Sequence, residues 1–143
     1  MSAPSNREHE PIFVAEILDF FGDCTGKVVV DDTFGLGGHT LTLAEAVGPS
    51  GHVIAIEQDP ASIAYAKARY QFGKNVHIVH GNFSHITGLV HSAGKRVVDR
   101  ILFDLGISSW QLDHEARGFS FEDDAVLDMR LDPSVGQPAW WHL

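Results

Sequence analysis

A chain of 143 residues with 44% hydrophobic content has the size and composition of one globular domain, which excludes a disordered or fibrous protein. Nineteen acidic residues face ten Lys and Arg, a net charge of −9, and no basic run exceeds two residues, so the chain is a poor free-standing nucleic-acid binder. No apolar run approaches the ~20 residues that span a bilayer, and the single cysteine, Cys24, has no partner for an internal disulfide, which fits the cytosol.

Residues 1–8 read as a flexible polar leader without an apolar signal core, and residues 9–143 as part of one domain. "PIFVAEILDFFG" predicts a helix, with Pro11 in its first turn, Gly22 as its stop, and Ile12, Phe13, Ile17, Phe20 and Phe21 at helical spacing. "KVVVDD" (27–32) predicts a buried strand and "TLTLAEAV" (40–47) a helix ended by "GPSG". "HVIAIEQD" (52–59) is a second strand, and "PASIAYAKARYQF" (60–72) a helix opened by Pro60 with Asp59 as its N-cap. "NVHIVHGN" is a third strand, "FSHITGLVHSA" a weaker helix, and "VVDRILFDLG" (97–106) a fourth strand. Strands alternating with helices through short connections predict an α/β fold, a parallel sheet with helices on both faces. Ligands of such sheets bind beyond the carboxyl ends of the strands. After Gly106 the sequence loses periodicity, as expected of a functional loop or of a segment lacking its partner.

The signal-rich residues fall at those strand ends. Three glycines, Gly35, Gly37 and Gly38, occupy the turn in "DDTFGLGGHT" after the first strand, where backbone must turn tightly or approach a ligand. The turn suits a dinucleotide, the nucleoside of S-adenosylmethionine, or structure alone. Thr40 stands at the third glycine position of the dinucleotide fingerprint, which departs from that rule. Glu57 ends the second strand, where a carboxylate can accept both hydroxyls of a ribose or simply face solvent. Asn82 and Phe83 follow the third strand; either can meet an adenine, and Phe83 serves equally well as a core residue. Asp104 ends the fourth strand, near where a sulfonium centre would lie or as a helix cap, with Gln111 seven residues on. His77, His80, His85 and His91 have no metal-ligand spacing, so no metal is expected. Ser108 and Ser109 lack a nucleophile elbow.

Taken in order, "HEPIFVAEIL", "VDDTFGLGGHT", "GHVIAIEQDP", "HGNFS", "ILFDLGISSWQLD", "RGFSF" and "LDMRLDPSVGQPA" resemble one family from about His9 to Ala139. It is the MraW/RsmH type of S-adenosylmethionine-dependent rRNA methyltransferase, which modifies cytidine N4 in small-subunit ribosomal RNA at the decoding centre. The resemblance implies a Rossmann-like class I methyltransferase fold, S-adenosyl-L-methionine as cofactor, ribosomal RNA as partner, and a cytoplasmic or organellar setting. Carried over residue by residue, the family's cofactor contacts fall on Gly37, Gly38, His39, Glu57, Phe83, Asp104 and Gln111, with Asp104 nearest the reacting centre. Position 57 is usually Asp in that family, so Glu57 reaches one methylene further.

The same resemblance implies that the fold is truncated after about the fourth strand, with 106–143 as an active-site loop region. The terminal "WWHL" departs from the family pattern as an abrupt end. The fourth strand is then expected to be an exposed apolar edge, open to self-association. Three readings stay in play: the cofactor-binding part of the rRNA methyltransferase; a non-catalytic S-adenosylmethionine-binding fragment or a subunit completed by another chain; and half of a nicotinamide-dependent oxidoreductase.

Overall fold

A computed structural model describes residues 11–114, 117–121 and 124–143; the leader expected at 1–8 lies outside them. The chain runs α1 (Val14–Phe21), β1 (Val28–Asp31), α2 (Gly38–Val47), β2 (His52–Glu57), α3 (Pro60–Arg69) and β3 (Val76–His80). A short 3-10 turn (Phe83–His85) then leads to α4 (Ile86–Ser92), β4 (Arg100–Leu102) and α5 (Ser109–His114), and a second 3-10 turn covers Ala139–His142. The four strands form one parallel sheet in the order β3-β2-β1-β4. Strand order therefore reverses at β1, and a crevice opens beyond the carboxyl ends of β1, β2 and β4.

Alternation along β1 distributes the core. Val29 packs with Phe21, Leu43, Val47 and Val53 on the α1–α2 face, whereas Val30 packs with Ile54, Ile56 and Val90 on the α4 face. Both faces are covered, so β1 needs an unbroken valine run instead of an apolar–polar alternation. Phe34, Ala55 and Ala66 form a third cluster under α3. At the end of β1 the period reverses the roles of two adjacent acids. Asp31 turns toward α2, where Thr40 Oγ1 donates to its Oδ2 at 2.6 Å. Asp32 keeps its backbone in the ladder by donating to Leu102 O at 2.9 Å, and its side chain falls to the other side.

Two boundaries differ from the sequence expectation, each for a local reason. Pro11 does not open α1: Phe13 adopts the left-handed conformation (φ 56°), and the helix begins at Val14. Pro11 instead lies against Gly38, and the following carbonyl, Ile12 O, sits 2.9 Å from His39 Nε2. Strand four shrinks from 97–106 to three paired residues, because β1 offers it only Val29 to Asp31. Beyond Leu102 the ladder is replaced by a side-chain bond, with Asp104 N donating to Thr33 Oγ1 at 2.7 Å.

The aperiodic tail folds on itself and back onto the sheet. Met129 N donates to Arg117 O, Ala139 N to Asp128 O and Trp140 N to Leu127 O, at 2.7 to 3.0 Å. Among the described residues β4 is paired on one side only, and Val97, Ile101, Phe103 and Leu105 are all exposed.

The left-handed hinge at Gly37 (φ 88°) starts α2, and a Cβ there would lie 2.9 Å from the Phe72 ring and 3.0 Å from the Phe34 ring. Gly37→Ala is therefore expected to destabilise the fold by about 2 kcal/mol, combining backbone strain with a clash against buried rings. Urea unfolding followed by circular dichroism measures this as a lowered midpoint at unchanged slope.

Candidate functional site

The crevice is a cavity of about 290 Å³, at the small end of the range for ligand pockets. Its floor is the turn after β1, its walls are the ends of β2 and β4, and Ile12 from the N-terminal segment closes one side. Glu57 is the residue around which it is built. The side chain is 8% exposed, and its two oxygens accept from different loops: Oε2 from Gly35 N at 2.8 Å and Oε1 from Asp59 N at 2.8 Å. Burial pushes its pKa up, and the two backbone N–H bonds work against that push. Glu57 lines the cavity.

Behind Glu57 lies a second buried carboxylate. Asp59 caps α3 by accepting from Ala61 N at 2.9 Å, as its place before Pro60 implied. Its Oδ2 also accepts from Gln111 Nε2 at 2.8 Å and from Arg117 at 2.6 Å. Arg117 further donates to the carbonyls of Arg130 and Leu131 at 3.1 and 2.8 Å, so one guanidinium fastens the tail to the base of the sheet. Burial raises the Asp59 pKa, but the hydrogen bonds from Gln111 and Arg117 outweigh it and hold the carboxyl below its ordinary range.

Of the seven residues carried over as cofactor contacts, six line the cavity: Gly38, His39, Glu57, Phe83, Asp104 and Gln111. Gly37 does not; it is buried beneath the turn as its hinge. His39 Nδ1 stands 3.8 Å from Asp104 Oδ2 across the opening. Phe83 is 44% exposed and meets Phe103 edge-on at 6.1 Å, a ring at the cavity rim and not in the core. Asn82 is committed elsewhere, donating to Gln58 Oε1 at 2.7 Å and accepting from Ser84 N at 2.8 Å. Gln111 presents its edge while its amide is held by Asp59 and Ser108. Among the described residues no group of three or more His, Cys, Asp or Glu could hold a metal.

Sequence reasoning missed Asp32 and Arg117. Arg117 carried no periodic signal, because its partners lie in an irregular tail and in a helix cap. Asp32 was legible in principle, since two consecutive acids at a strand end must point to opposite sides. It is 3% exposed, lines the cavity, and has no hydrogen-bond partner for either side-chain oxygen among the described residues. Burial, then the neighbouring Asp31, push its pKa up to about 6. Among the described residues no Lys or Arg lines the cavity, whereas Asp32, Glu57 and Asp104 do. The donor set suits a ligand that carries positive charge and ribose hydroxyls.

A folded-state pKa above the unfolded value means that ionised Asp32 opposes folding. The penalty is full above about pH 6, shrinks as pH falls toward 4, and vanishes once both states are protonated. Asp32→Asn should therefore melt a few degrees above the wild type at pH 8 and equal it at pH 4. Differential scanning calorimetry across that range measures the difference, and a constant offset at all pH values contradicts the assignment.

Comparison with known proteins gives the chain a family. Residues 6–141 match the model of the MraW methylase family. Ribosomal RNA small subunit methyltransferase H of Thermomicrobium roseum is 45% identical over 137 residues, covering 95% of this chain and 42% of the relative. The protein of the same name from Neisseria meningitidis is 40% identical, covering 97% of this chain and 42% of the relative. The chain thus spans about two fifths of the length of the curated relatives it matches. A solved structure from Clostridium thermocellum, described as an rRNA-methylase candidate, superposes with a TM-score of 0.56 at 23% identity over 66% of this chain and 50% of that one; it shows the fold alone. The four-stranded parallel sheet is accordingly that of a Rossmann-like class I methyltransferase fold. Family membership supports S-adenosyl-L-methionine as the cofactor of the cavity. The chain belongs to the MraW methylase family.

Proposed function

We propose that this chain carries the cofactor-binding part of an enzyme that methylates N4 of a cytidine in small-subunit ribosomal RNA near the decoding centre, in the cytoplasm or an organelle. The observation that supports it most is Glu57, a buried carboxylate that lines the cavity and is held by Gly35 N–H and Asp59 N–H. In this reading Glu57 accepts the two ribose hydroxyls. Gly38 and His39, at the positively polarised start of α2, receive the carboxylate of the amino-acid end, with Gly37 as their hinge. Phe83 offers its ring to the adenine, and Gln111 closes the wall beside it.

When bound, the cofactor supplies a methyl group activated by its sulfonium. The residues of the chain do the rest. The cytidine amine is a weak nucleophile, so holding it in line at roughly 3 to 3.5 Å is the main contribution the site makes. Asp104 is placed for this: its backbone is fixed by Thr33 while its side chain is 44% exposed at the opening. Its carboxylate can accept an amine N–H, orient the nitrogen and ease the charge that develops there.

A second reading, that this chain binds the cofactor without catalysing transfer on its own, draws support from the open side of β4 and from the chain's share of its relatives' length. Both readings predict binding of S-adenosylmethionine in preference to NAD by isothermal titration calorimetry. Glu57→Gln should weaken the methyl donor about tenfold through loss of a charge-assisted acceptor. Equal binding of NAD, or an unaffected Glu57→Gln variant, contradicts the cofactor reading. Methyl transfer to small-subunit particles, compared between this chain and a longer form of the family, separates the two readings. The apolar β4 edge also predicts self-association at micromolar concentration, reduced by Val97→Lys; sedimentation velocity showing a monomer throughout contradicts it.

A further inference from the structure

Two carboxylates end β1, and only one of them is satisfied. Asp31 accepts from Thr40 Oγ1 at 2.6 Å and from Thr33 N at 3.4 Å. Asp32, its neighbour, is 3% exposed, and neither of its oxygens has a hydrogen-bond partner among the described residues. An ionised carboxylate shut away from water without partners is expensive, and such a group at a cavity wall is stabilised by a positive charge that arrives with a ligand. The cavity is suited to receive one: among the described residues its lining includes Asp32, Glu57 and Asp104 and neither Lys nor Arg.

Resting on the cofactor reading above, we infer that Asp32 is the charge-selecting residue of the site, favouring the cationic sulfonium of the methyl donor over the neutral thioether of the product. S-adenosylmethionine carries two positive centres, and the geometry distinguishes them. An ammonium group has three N–H donors and needs accessible acceptor atoms. Asp32 offers none, since its oxygens are covered. A sulfonium has no hydrogen to donate and responds only to field, which a covered carboxylate in a low-dielectric wall supplies well. Position agrees: Asp32 N is bonded to Leu102 O, and the next residue, Thr33, holds the backbone of Asp104, so Asp32 lies where β1 and β4 meet the reacting end. The amino-acid end belongs to Gly38 and His39 on the opposite side of the turn.

In the transfer, the S–CH3 bond breaks with its electron pair going to sulfur, a C–N bond forms from the lone pair of the cytidine amine, and the amine proton passes to water at the opening. Sulfur thereby becomes neutral and Asp32 loses its attraction to it. The arrangement binds the donor by charge and loosens the product by the same change. Charges roughly 6 to 10 Å apart at an effective dielectric of 20 alter affinity by about ten- to hundredfold.

Isothermal titration of S-adenosylmethionine and S-adenosylhomocysteine against the wild type, Asp32→Asn and Asp32→Ala tests this. Both variants should bind the cationic donor about tenfold more weakly and the neutral product within twofold of the wild type, while melting no lower than the wild type at pH 8 without ligand. An unchanged donor-to-product ratio in both variants overturns the assignment even if both ligands bind. An equal loss for the two ligands with a lowered melting temperature also overturns it, since that is a structural role. Failure of the wild type to bind either compound overturns the cofactor reading and this inference with it.

Discussion

Glu57 holds two loops with one carboxylate, and the site exists because of that bond pair. One oxygen takes the N–H of Gly35, which fixes the turn after β1; the other takes the N–H of Asp59, which fixes the entry to α3. Two strand ends that are neighbours in the sheet become one rigid rim. Without that clamp the glycine turn would have backbone donors but no defined direction, since glycines restrict their chain least. The cost of burying the charge is offset in part by the amide dipoles.

The clamp also passes strain-free order outward. Asp59 is fixed by its own N–H on Glu57, and its side chain then gathers Ala61, Gln111 and Arg117. Through Arg117 the irregular tail reaches the carbonyls of Arg130 and Leu131, so a segment without periodicity acquires a place in the fold. Occupancy of the cavity and order in the tail therefore share atoms. A net charge of −9 makes this chain an unsuitable RNA surface by itself, and an acidic cavity suits a cationic cofactor better than a phosphate.

The sheet was legible because its signals are local. Valine runs, Pro60 after Asp59 and the glycine turn each name a strand, a helix start or a hinge from a few residues, and all four strands and their parallel pairing followed. Strand ends were legible only approximately. Strand four stops at Leu102 because β1 has no more residues to pair with and Thr33 takes over at Asp104, a long-range fact that no window of sequence contains. The start of α1 failed for the converse reason: Phe13 accepts a left-handed backbone that its side chain disfavours, and Pro11 is drawn to Gly38 instead. Within the site, residues at strand ends were visible as a class. The division of labour between Asp31 and Asp32, and the role of Arg117, depend on partners 9 to 70 residues away and emerge only in three dimensions.

A crystal structure of this chain soaked with the methyl donor bears most directly on the account. It should show the sugar hydroxyls on the Glu57 carboxylate, with the amino-acid tail at the first residues of α2. Electron density for the nucleoside outside the crevice, or inside it with the ribose turned away from Glu57, contradicts the central claim.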